Sequence, residues 1–115
     1  MATLVIHAPY WKAKPGQPYS WETYFRTGIG RGYAISRKDV DKLRSGSKVV
    51  KVVLLRNDYK QRRAEGVLVD LKDAGKTPQG VGRYDVYFSN QKEVSYIYNL
   101  PKEKLNLYGV AVIDD

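Results

Sequence analysis

Apolar and polar positions along this chain mostly follow the two-residue period of strands. Residues 3–8 (TLVIHA) are apolar and β-branched and stop at Pro9, which predicts a first strand. Residues 48–56 (KVVKVVLLR) form the most apolar run, and a run without alternation predicts a central strand covered on both faces. After a charged turn that opens at Asn57-Asp58, residues 64–71 (AEGVLVDL) predict the returning strand. In residues 83–89 the side chains of Tyr84, Val86 and Phe88 fall on one face and those of Arg83, Asp85 and Tyr87 on the other. Asn90-Gln91-Lys92 reads as a turn, and Val94, Tyr96 and Tyr98 alternate again over 93–98. Residues 100–106 read as a turn or a short helical piece, and 107–113 (LYGVAVI) as the last strand.

The helical period appears in two places. Ser20 can cap a single turn in which Trp21, Tyr24 and Phe25 share a face at i, i+3 and i+4. Gly28, Gly30 and Gly32 then break it. Ser36 starts a capping-box variant with Asp39, Val40 and Leu43 lie on one face behind it, and Gly46 suits the end. Pro- and Gly-rich stretches at 9–19 and 72–82 read as loops. The fold class expected is α+β, mainly β, in one domain over 1–115. Its expected form is a small, partly open barrel of five or six mostly antiparallel strands with one or two flanking helices, since closure removes exposed edges.

Composition narrows the chemistry. There is no Cys and one His in 115 residues, which excludes disulfides, thiolate metal sites, Cys nucleophiles and multi-histidine sites. No metal and no cofactor are expected. No apolar run reaches the ~20 residues of a membrane helix, no secretory pattern opens the chain, and the compartment read by default is the cytoplasm. The formal net charge is +8, unevenly placed: residues 1–63 carry 14 Lys and Arg against four acids, whereas residues 64–115 carry six against eight. A one-sided positive balance raises the local concentration of anions and points to a polyanionic partner.

The early aromatics carry the same argument further. Tyr10, Trp11, Tyr19, Trp21, Tyr24, Phe25 and Tyr33 are interleaved with, or closely followed by, Lys12, Lys14, Arg26, Arg31, Arg37 and Lys38. Rings can stack on exposed bases while cations follow phosphates. Large aromatics also build cores, so at least half are expected inside, Phe25 among them, with Trp11 or Trp21 lining a cleft. The run Gly28-Ile29-Gly30-Arg31-Gly32 has neither dinucleotide-binding nor Walker spacing. It reads either as a ligand-contacting loop or as a surface loop. The 56–63 turn (RNDYKQRR) is the densest basic cluster, with Arg62 and Arg63 placed to meet phosphates. The candidate nucleic-acid-binding set is therefore Trp11, Trp21, Tyr24, Arg26, Arg31, Tyr33, Arg62 and Arg63, with no catalytic residue.

The passage from Ser36 through Ser45-Gly46-Ser47 into Val49-Val50, then Leu54-Leu55-Arg56 and Ala64-Glu65-Gly66-Val67, resembles PUA-like domains, including their EVE and ASCH relatives. There a short helix leads through a Gly-polar turn into an apolar strand, and a hairpin returns through a Gly-containing strand. The resemblance spans residues 36–70. It implies a non-catalytic domain that recognises RNA or a modified base in a cleft beside the early loop. Nucleic acid, RNA ahead of DNA, is the partner expected. The alternatives are a small RNA-acting enzyme with His7 as base and Arg26 or Lys12 on an anionic oxygen, and a protein-interaction module with a basic face.

Overall fold

The structure, a computed structural model, describes residues 2–8, 21–44, 49–56, 63–94 and 110–114. In chain order the elements are β1 (Ala2–Ala8), α1 (Trp21–Thr27), β2 (Ile29–Ala34), α2 (Arg37–Arg44), β3 (Lys51–Arg56), β4 (Arg63–Lys76), β5 (Gly82–Val94) and β6 (Val110–Asp114). The loop 9–19 with its cap at Ser20, the 57–62 turn, Tyr96, Tyr98 and the 100–106 piece lie outside the described residues.

The strands form one mixed sheet in the order β2-β5-β4-β3-β1-β6. Two features differ from the expected antiparallel barrel. β1 and β3 run parallel, in the register Leu4↔Val52, Val5↔Val53, Ile6↔Leu54. A parallel neighbour needs a crossover of a dozen residues or more, and the long stretch between these strands, holding α1, β2 and α2, supplies it. The other four pairings are antiparallel. The sheet is also not closed, because β2 and β6 end it and do not pair with one another among the described residues.

It is nonetheless curled. A straight 14-residue strand would run about 46 Å at 3.3 Å per residue, yet the longest extent of the molecule is 33 Å. β4 is also irregular along its length. Its pairing with β5 slips between Glu65 and Val67, between Leu68 and Asp70, and between Asp73 and Lys76, and such bulges bend and twist a strand. The first part of β4 pairs with β3, while β5 carries β2 on its other side. The bend brings β2 round to β1: the Tyr33 hydroxyl donates to the His7 carbonyl at 2.8 Å. A Cβ on Gly30 would stand 2.9 Å from Ile6 Cδ1.

Alternate positions fill the concave side. Leu4 and Ile6, Val52 and Leu54, Val86 and Phe88 meet Trp21 and Tyr24 of α1 and Val40 and Leu43 of α2 in one cluster. The intervening residues Val5, Val53 and Ala111 form a second buried cluster on the opposite face. That is the two-sided burial which the unbroken apolar run 48–56 predicts. The helix at Ser36 begins as read, with the Asp39 amide donating to Ser36 Oγ at 3.3 Å.

Three boundaries differ from expectation. The 72–82 loop shrinks to the turn 77–81, because β4 and β5 extend through most of it. Asn90-Gln91-Lys92 is not a turn: β5 continues to Val94, and Asn90 absorbs the irregularity with φ +56°. The glycine run is not a loop either but strand β2, with a register shift between Gly30 and Tyr33.

Candidate functional site

Burial sorts the sequence-derived candidates. Trp21, Tyr24 and Tyr33 are 4%, 2% and 6% exposed and lie together in the main cluster. The Trp21 indole N–H donates to the Leu54 carbonyl at 3.0 Å, and its ring stacks on Phe25 at 5.4 Å. Tyr24 meets Tyr33 edge-on at 6.2 Å. These rings have core partners on their faces and edges, so a base has no free face to stack on. Phe25, expected inside, is only half-buried at the edge of the cluster. Trp11 and Arg62 lie outside the described residues; Arg63 opens β4, its backbone opposite Leu55 and Val94.

Arg26 and Arg31 are exposed. Arg31 sits on the β2 bulge, where Asp85 holds both its guanidinium, at 3.3 Å, and the Gly32 amide, at 2.9 Å. Arg83 donates to the Gly32 carbonyl at 2.8 Å. The glycines thus serve the backbone. Gly28, at φ +74°, closes α1 through its amide on the Tyr24 carbonyl, and its own carbonyl accepts from the Phe88 amide. His7 is half-buried, and that burial lowers its pKa and favours the neutral imidazole. Burial, and then the neighbouring Tyr24, raise the pKa of the Tyr33 phenol well above its usual value, so it stays a donor.

Three other described cations meet in a cleft of about 450 Å³ between α2 and the turn end of the β4–β5 hairpin. Arg37, Arg44 and Lys76 line it with one carboxylate, Asp41, and with Tyr84. The capped helix explains half of this arrangement. Val40 and Leu43 are buried, so Arg37, Asp41 and Arg44 are left at its solvent side. The hairpin supplies the rest. Thr77 is buried and organises the turn: its carbonyl accepts from the Gly80 amide and its hydroxyl from the Val81 amide.

Arg44 is the fixed member. Nη2 donates to the Leu71 carbonyl at 2.6 Å, and the guanidinium stands 5.6 Å from the centre of the Tyr84 ring. A guanidinium has five N–H groups, so donors remain for a ligand. Arg37 and Lys76 are exposed and make no hydrogen bond or ion pair with a described residue. Two exposed cations beside a fixed one that stands over an aromatic ring can hold a phosphate and pack a base or ribose.

Sequence reading missed this cleft. Arg37 was visible as one of many early cations, but Lys76 lies 32 residues beyond Arg44 in a stretch read as loop. Only the length of the β4–β5 hairpin brings it back to α2. Among the described residues no group of acids and His could hold a metal ion, and no helix is long and apolar enough to cross a membrane. The chain matches no model of a known protein family and no curated protein.

Proposed function

We propose that this chain is a nucleic-acid-binding domain without catalytic chemistry of its own, taking RNA ahead of DNA. The curled sheet with two short helices is read as a partly open barrel of PUA-like type, the similarity being carried by residues 36–70. The observation that supports the binding role is the cleft of Arg37, Arg44 and Lys76 around Tyr84. Three cations against Asp41 leave a positive surplus where an aromatic ring is also at hand, and that combination suits a phosphate-bearing strand better than a small neutral ligand. Arg26 and Arg31 are exposed as well, Arg31 in an ion pair with Asp85. The buried rings act in this reading as the support beneath it.

The test is the affinity of fluorescently labelled single-stranded RNA and DNA, measured by anisotropy across a salt series. Contact with four to six phosphates gives a slope of log K against log salt of roughly −3 to −5. Arg37→Ala with Lys76→Ala should weaken all sequences alike and reduce that slope by about 1 to 2. Both side chains are exposed, so the fold should be unaffected. No binding at low salt, a flat salt response, or a double variant that binds like the parent would each refute the reading.

A further inference from the structure

The cleft of Arg37, Arg44 and Lys76 holds one side chain that phosphate binding does not explain. Asp41 is exposed on its wall. On α2 it stands four residues after Arg37 and three before Arg44, the spacings at which opposite charges on a helix pair. Yet its carboxylate makes no ion pair or hydrogen bond with a described residue. Arg44 is committed elsewhere, its Nη2 to the Leu71 carbonyl and its guanidinium to the face of Tyr84.

Helix stability does not account for Asp41 either. A carboxylate favours a helix from its first turn, where Asp39 already stands. Asp41 lies beyond that turn, and aspartate is a poor residue for a helix interior. Toward a phosphate it is a like charge and works against binding. A carboxylate left unpaired among three cations therefore suits a ligand that is anionic and also offers a hydroxyl donor at one place.

We infer that Asp41 reads the sugar of a bound strand by accepting a hydrogen bond from its 2′-hydroxyl, so that this cleft selects RNA over DNA. The inference rests on the nucleic-acid reading above and names the residue behind its RNA preference. Arg37, Asp41 and Arg44 follow one another on one helix face, about 6 Å and then about 4.5 Å apart along the axis. A nucleotide has the same order of phosphate, sugar and base. Arg37, with Lys76 of the hairpin, meets the phosphate, and Asp41 meets the sugar. The base lies against the Arg44 guanidinium and the Tyr84 ring, planes on which any base can stack. Within a strand the 3′ and 5′ oxygens are esterified, so the 2′-hydroxyl is the only donor the sugar has, and it is the group that DNA lacks. In RNA it gives the carboxylate a partner for the water it loses. In DNA the carboxylate faces carbon-bound hydrogen and keeps only its repulsion toward the phosphates.

The experiment takes one single-stranded sequence as RNA, as DNA and as 2′-fluoro RNA, and measures binding to the full chain by anisotropy, for the parent and for Asp41→Ala. The fluoro sugar keeps the pucker of ribose but has no hydroxyl to donate. The parent should bind RNA about tenfold more tightly than the other two, the contribution of one hydrogen bond to a charged acceptor. This comparison needs no variant. Asp41→Ala, at an exposed position, should weaken RNA and strengthen DNA, bringing the two affinities together. A carboxylate that acts by charge alone gives a different result: its removal would strengthen RNA and DNA equally and keep their ratio, and that would overturn the inference. So would a parent that binds RNA no better than DNA, or no better than 2′-fluoro RNA. If binding still depends on salt and on Arg37 and Lys76 in any of these cases, only this inference falls. If the parent binds no RNA at low salt, the nucleic-acid reading falls, and this inference with it.

Discussion

Trp21 separates a ligand-facing aromatic from a core one, and its substitution tests the burial argument directly. Trp21→Ala would remove a side chain that is 4% exposed, together with its 5.4 Å stack on Phe25 and its hydrogen bond to the Leu54 carbonyl. Truncating a buried tryptophan costs about 3–5 kcal/mol, against a total stability of roughly 5–15 kcal/mol for a domain of this kind. At about 4 °C per kcal/mol for this chain length, the melting temperature should fall by about 12–20 °C. Trp21→Phe keeps a ring beside Phe25 but takes the donor from the Leu54 carbonyl, so its cost should be about 1–3 kcal/mol. Urea and thermal unfolding give both values. RNA affinity is then measured at a temperature where each variant is still folded, and it should match the parent. A Trp21→Ala variant that melts with the parent yet binds RNA ten times more weakly would refute the reasoning, because it would mean that the ring faces a ligand.

Two further outcomes follow from single positions. Gly28→Ala should cost about 2 kcal/mol or more, because φ is +74° and the new Cβ would run into the Phe88 carbonyl, whereas Gly32→Ala, at φ +69° in open space, should cost about 1 kcal/mol; equal melting temperatures for the two variants would refute the collision. His7 has a folded-state pKa below its unfolded value of 6.5, so the unfolded chain takes up its proton first. The stability that His7 contributes as a neutral group should be complete above pH 6.5 and decline as pH falls below it, and denaturant midpoints from pH 8 to 5 for the parent and His7→Asn check this, the variant lacking that share of the decline.

What could be read from the sequence was what depends on neighbours in the chain. The apolar run 48–56, the alternation of Tyr84, Val86 and Phe88, and the Ser36 cap each state a local preference, and each became the element it implied. The parallel pairing of β1 with β3 was not legible, because nothing in either run records the direction of its partner. The glycine run misled for a related reason. Gly28 and Gly32 do take positive φ, as loop glycines do, but here one closes a helix and the other sits in a bulge of an edge strand. The aromatics misled through composition: a ring that stacks on a base and a ring that fills a core look alike until Trp21 is seen donating to Leu54. The acidic half of the chain carries no local signal of a binding surface. Yet it contributes Lys76 and Tyr84 to the cleft beside α2, and Glu65, Asn90 and Lys92 to a pocket at the other end of the β4–β5 ribbon.

The cleft of Arg37, Arg44 and Lys76 has its physical origin in the β4–β5 ribbon. Between the pair Glu65↔Lys92 and the pair Lys76↔Gly82, β4 advances eleven residues, about 36 Å if straight. That is longer than the 33 Å extent along the longest principal axis, and the ribbon's register slips three times along its course. Each slip leaves a residue unpaired and turns side chains out of strict alternation. Glu65 keeps the ordinary alternation, opposite Val53 on the face away from Ala64 and Gly66. The slip between Asp73 and Lys76 delivers a lysine to the solvent edge of α2. With a regular ladder after Asp73↔Tyr84, Lys76 would fall on the face opposite Tyr84. The irregularities that make β4 hard to read from its sequence are the same ones that give this surface its chemistry.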